Sequence, residues 1–110
     1  MKKLNKKIIK AIETLGWVVR EYKEEYELEA CSPAGENLIE TISKKEDFLS
    51  QFWNLYHNFD EDEHVEMWVN ARHHVSGVPS IRTLVQDSES ITEMYKELAL
   101  TVEKSMKKGA

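Results

Sequence analysis

The residues best suited to chemistry in this chain are carboxylates and imidazoles. Asp60-Glu61-Asp62-Glu63-His64 is the densest run of them. Neighbouring side chains on a helix point about 100° apart, so five in a row cannot converge on one ion. The alternating acidic ladder and glycine of a calcium loop are also absent. His64 shares a helical face with Glu61 and Trp68, and two ligands do not make a metal site. Asp60 followed by Glu63 fits a D-x-x-E capping box, which makes the run a helix start with a solvated acidic first turn. His73 and His74 are adjacent, and His57 stands alone. The i, i+4 histidine pair with an intervening glutamate that a zinc protease requires does not occur. Histidines near a helix C-terminus are favourably placed against the helix dipole.

Cys31 is the single cysteine, so an intramolecular disulfide and a thiolate-rich zinc site are both excluded. Its place at the end of a strand suggests a small, buried or half-buried hydrophobe. No nucleophile elbow, P-loop, dinucleotide-binding or kinase-like motif is present, and four glycines are few for phosphate-cradling loops. The expectation is a protein that is not an enzyme and has no cofactor or metal.

Charge is the stronger signal. The formal net charge is −5. Five lysines fall in the first ten residues, and Lys104, Lys107 and Lys108 lie close to the other end. Residues 11–103 hold seven basic and all twenty acidic residues, a net of −13. Such a body disfavours direct nucleic-acid binding. Glu25, Glu27 and Glu29 alternate along one strand, roughly 7 Å apart at the strand rise. Regularly spaced carboxylates could imitate a phosphate ladder and occupy a protein that grips nucleic acid with Lys and Arg. The candidate interaction surface is therefore Glu21, Glu25, Glu27 and Glu29, with Asp60, Glu61, Asp62 and Glu63. The expected partner is a protein, such as a nucleic-acid-binding enzyme. Homodimerisation through the last helix is the alternative.

The elements that must position these residues follow from hydrophobic period. Leu4, Ile8, Ala11, Ile12 and Leu15 share a helical face over 3–15, and Gly16 ends that helix. Trp17–Tyr22 is β-branched and aromatic, and 25–30 alternates with Tyr26, Leu28 and Ala30 on one face. Lys23-Glu24 and Ser32-Pro33-Ala34-Gly35 supply turns, and 37–42 reads as a third strand. Helices follow from Phe48, Phe52 and Tyr56, and from Val65, Trp68 and Val69. After Val78-Pro79-Ser80, the stripe Ile81, Leu84, Val85, Ser88, Ile91, Tyr95, Leu98 and Val102 predicts one long helix over about 80–106. The aromatic set Phe48, Phe52, Trp53, Tyr56, Phe59 and Trp68 is assigned to the core. The fold class is α+β: an N-terminal helix, a three-stranded antiparallel meander, then three helices packed on one face of the sheet. At 110 residues this makes a single domain. The longest apolar runs are only a few residues, and no signal-peptide pattern follows the first lysines, so a cytoplasmic location is expected.

The segments LGWVVREY, YELEACSPAGE, NFDEDEHVEMWVNAR and VSGVPSIRTLVQD together resemble a family of small uncharacterised proteins of Gram-positive gut bacteria and their mobile elements. His74-Val75-Ser76-Gly77 departs from the Gly-Val-Ser-Gly expected there. The resemblance covers nearly the whole chain and implies a context rather than an activity. In that context a small acidic protein could inhibit a host defence nuclease, in the manner of anti-restriction or anti-CRISPR proteins.

Overall fold

The structure is a computed structural model that describes residues 2–72 and 74–108. Helix α1 (Lys6–Thr14) starts later than its apolar spacing suggests. The Asn5 side chain accepts the Ile8 N–H at 2.9 Å, and the Leu4 N–H donates to the Tyr26 hydroxyl at 3.0 Å. Asn5 is thus an N-cap, and Leu4 reaches the core from the segment before the helix rather than from a helical turn. Gly16, at φ 104°, closes the helix in a conformation that favours glycine.

Strands β1 (Val18–Glu21), β2 (Glu25–Cys31) and β3 (Asn37–Ser43) form an antiparallel sheet in that order. Tyr22 N–H donates to Glu25 carbonyl across the Lys23-Glu24 turn. At the other turn, Gly35 N–H donates to Ser32 carbonyl, with Gly35 at φ 92°. Tyr26, Leu28 and Ala30 of β2, and Leu38 and Ile42 of β3, face inward and are buried. Alternation sends Glu25, Glu27, Glu29 and Cys31 to the opposite face. Cys31 is exposed, not buried or half-buried: it follows the inward-facing Ala30 and so falls on the outer side.

Helices α2 (Phe48–Asn58), α3 (Glu61–Ala71) and α4 (Ile81–Lys108) complete the chain. Asp47, Asp60 and Ser80 each accept a backbone N–H three residues on, which caps all three. Pro79 precedes the Ser80 cap rather than occupying the first helical turn. The polar stretch Asp87–Ser90 does not interrupt α4. Its 28 residues would run roughly 42 Å at the helical rise, close to the 48 Å long axis of the molecule. Leu84, Ile91, Tyr95, Leu98 and Val102 of its stripe are buried, as is Ser88, while Ile81 and Val85 are exposed.

α3 is held differently from the other helices. None of its residues is fully buried. Phe48 and Phe52 of α2 join the core and Trp53, Tyr56 and Phe59 pack against it, but Trp68 lies outside that cluster. The helix packs along α4 and is tied by polar contacts: His64 and Trp68 to Glu36, and Glu61 to Thr92.

Candidate interaction surface

The eight acidic residues singled out from sequence do not form one surface. Glu25, Glu27 and Glu29 project from the outer face of the sheet, with Val18, Tyr22 and Ile39 each about half exposed. Glu21 is paired with Tyr26 in the β1–β2 register and so lies on the other face. Its carboxylate accepts from Lys44 Nζ at 2.6 Å, and Lys3 is 3.8 Å away. The bond from Lys44 holds Glu21 below the usual carboxylate range. The Lys44 side chain is itself nearly buried, with its ammonium 5.0 Å from the Tyr26 ring centroid.

The proposed ladder on β2 is also partly neutralised. Arg20 lies opposite Glu27 in the sheet and donates to its carboxylate through Nε at 2.9 Å and Nη2 at 2.7 Å. Its Nη2 also donates to Glu29. Bonding to Arg20 lowers the Glu29 pKa, and bonding to Glu29 and Glu27 raises that of Arg20. Only Glu25 of the three has no ion pair among the described residues.

On α3, Asp60 serves as the cap and Glu61 accepts from Thr92 Oγ1. Asp62 and Glu63 remain exposed in the first turn. His64 lies neither with Glu61 nor with Trp68 as a ligand pair; its Nε2 is 2.7 Å from Glu36 Oε2. No group of three or more His, Cys, Asp or Glu could hold a metal ion among the described residues. His73 lies outside the described residues, and His74 is exposed beyond the end of α3.

Sequence reasoning missed a second acidic row. Glu89, Glu93 and Glu97 occupy i, i+4 and i+8 of α4, and all three are exposed. They lie about 6 Å apart along the axis at the helical rise. No Lys, Arg or His pairs with any of them among the described residues. A shallow groove beside the row is bordered by Pro33 and Met94. The signal was present in the sequence: glutamate every fourth residue of a segment already assigned to a helix. The apolar stripe on the same segment drew the reading instead.

It also missed a polar seam where the β2–β3 turn meets α3 and α4. Ser32 Oγ donates to Asp87 Oδ2 at 2.7 Å, and Ala34 N–H donates to Asp87 Oδ1 at 2.9 Å. Ser32 Oγ in turn accepts the Glu36 N–H at 3.0 Å. Glu36 Oε1 accepts from Trp68 Nε1 at 3.2 Å. Deeper along α4, the Tyr95 hydroxyl donates to Glu40 at 2.8 Å. Burial, reinforced by that bond to Glu40, raises the Tyr95 pKa well above the usual phenol value. The pairings between elements are 32 to 55 residues apart in sequence, so no local pattern announces them.

No family model, curated protein or solved structure matches this chain. No helix among the described residues is long and apolar enough to cross a membrane.

Proposed function

We propose that this protein is a non-enzymatic, acidic binding module whose partner is a basic, nucleic-acid-gripping protein surface. A host defence nuclease, inhibited in the anti-restriction or anti-CRISPR manner, fits that description. The carrying observation is the row Glu89, Glu93 and Glu97: three exposed carboxylates at regular intervals on one helix, without ion pairs among the described residues. Like charges at i, i+4 cost a helix stability, so the row stands against the local preference of α4. The net charge of −13 over residues 11–103 adds a long-range field that would steer a cationic surface toward the molecule. The β2 ladder is the weaker candidate, because Arg20 already takes up two of its three carboxylates.

Self-association through the α4 stripe ranks second. The buried part of that stripe is occupied by the molecule's own core, which leaves Ile81 and Val85 exposed on it.

The test is inhibition of DNA cleavage across a panel of purified restriction and CRISPR nucleases. At least one enzyme should be inhibited, with inhibition weakening as salt or competing duplex DNA is added. The triple variant Glu89→Gln, Glu93→Gln, Glu97→Gln should lose most of it, while Glu27→Gln with Glu29→Gln should lose less. Inhibition by none of the panel, or full inhibition by the triple variant, would remove the proposal.

A further inference from the structure

The polar seam opens on a cleft of about 300 Å³ between the β2–β3 turn, α3, the 75–79 segment and the start of α4. That volume is at the lower end of the range of small-molecule sites. Trp68, Val75, Val78, Pro79 and Leu84 supply its apolar and aromatic walls. Glu36 and Asp87 are the ionisable residues of its lining, and both are carboxylates.

The chemistry of those two groups is unusual for their position. Asp87 is only 5% exposed, yet its contacts are a serine hydroxyl and a backbone N–H rather than a cation. Glu36 is held by the Trp68 indole N–H and the His64 ring. No Lys or Arg pairs with either among the described residues. A buried carboxylate ordinarily has a positive partner, because desolvated charge is costly. For Asp87 the donors fix the carboxylate in place with no cation among the described residues, and for Glu36 the His64 ring at 2.7 Å is a counter-charge only when protonated. Two carboxylates supply too few ligands for a bare calcium or magnesium ion, which takes six or more oxygens. An organic cation needs fewer polar contacts and gains from the aromatic and aliphatic walls.

We propose that this cleft is a binding site for an alkylammonium group, with Glu36 and Asp87 as counter-charges and Trp68 and the valines enclosing the alkyl part. A free amine and a lysine side chain both carry that group. The site is independent of the acidic row on α4, so either assignment can fail without the other.

The experiment is a titration of the full chain followed by ¹H–¹⁵N correlation spectra, with n-butylammonium and acetyl-Gly-Lys-Gly-amide as probes. Sodium butyrate and sodium chloride at equal ionic strength are the controls. Both probes should shift the Trp68 indole and Ala34 amide signals saturably, and the controls should not. Tighter binding of the peptide assigns the site to a partner's lysine; equal or tighter binding of butylammonium assigns it to a free amine. Glu36→Gln should weaken binding roughly tenfold or more, the scale of a lost charge-assisted hydrogen bond. Asp87→Asn tests the second carboxylate but also alters the turn. Val75→Trp therefore provides a variant that fills the cleft from an exposed position. It should abolish binding with the spectrum otherwise unchanged. Absence of saturable shifts, equal shifts with butyrate, or undiminished binding by Val75→Trp or Glu36→Gln would overturn the proposal.

Discussion

Two buried serines show how much the same group depends on its surroundings. Ser32 is 5% exposed and its hydroxyl both donates to Asp87 and accepts from the Glu36 N–H. Ser88 is 1% exposed, and its hydroxyl has no hydrogen-bond partner among the described residues. A buried hydroxyl without a partner has lost its hydration for nothing, whereas a bonded one holds other groups in place. Ser32→Ala should therefore cost about 1–3 kcal/mol, because it leaves one oxygen of Asp87 and the Glu36 N–H without their partner. Ser88→Ala should be neutral or stabilising by up to about 1 kcal/mol. Urea unfolding midpoints of the two variants check this; a larger loss for Ser88→Ala would mean that its hydroxyl is satisfied by water. Both serines stood in the sequence as small polar residues in a turn and on a helix. Nothing local distinguished the essential one from the dispensable one.

At the scale of elements, α4 carries two patterns on one helix. Its apolar stripe faces the core, and its glutamate row faces outward. Relieving the two like-charge pairs in that row by Glu89→Gln, Glu93→Gln and Glu97→Gln should raise stability by about 0.4–1 kcal/mol. Glutamine and glutamate have similar helix propensities, so the change isolates charge. A higher urea midpoint in the triple variant, together with lost inhibition, would separate the functional effect from unfolding. A lower midpoint would mean that the row has stabilising partners. Element identities were largely legible because period and punctuation are local: alternation marked β2, and Gly16, Pro33-Ala34-Gly35 and the Asp60 cap marked boundaries. The start of α1 was not, because Leu4 shares the helical spacing of Ile8 and Ile12. Asn5 and the Tyr26 hydroxyl decide that end. The shallow burial of α3 was hidden for a related reason: Val65, Trp68 and Val69 look like a core face, yet none of them is fully buried.

For the whole molecule, pH should bound stability on both sides. Hydrogen bonds hold the Glu21, Glu29 and Asp47 carboxyls below their ordinary values of 4.5, 4.5 and 3.8 in the folded state. Their contribution is present above those values and lost as pH falls through the folded ones, because the unfolded chain then binds protons more readily. Tyr95 has the opposite sign. Its folded pKa lies above the ordinary 10.0, so its contribution is complete below that value and declines as pH rises beyond it. Unfolding midpoints measured from below 3.8 to above 10.0 should describe a plateau with two falling limbs. Tyr95→Phe should flatten the alkaline limb, and an unchanged limb would remove Tyr95 as its cause.

The sequence by itself determined the α+β order, the three-stranded meander, the long last helix and the acidic body, because each depends on neighbours in the chain or on composition. Tertiary structure alone decided which carboxylates are free. Glu27 and Glu29 meet Arg20 across a strand pair, Glu21 turns to Lys44, and Glu36 meets His64 and Trp68 on another element. A charge count cannot reveal such pairings, because they arise only when the register and the helix packing bring distant residues together. The same packing closes the cleft around Glu36 and Asp87, and there Asp87 has no cationic partner among the described residues.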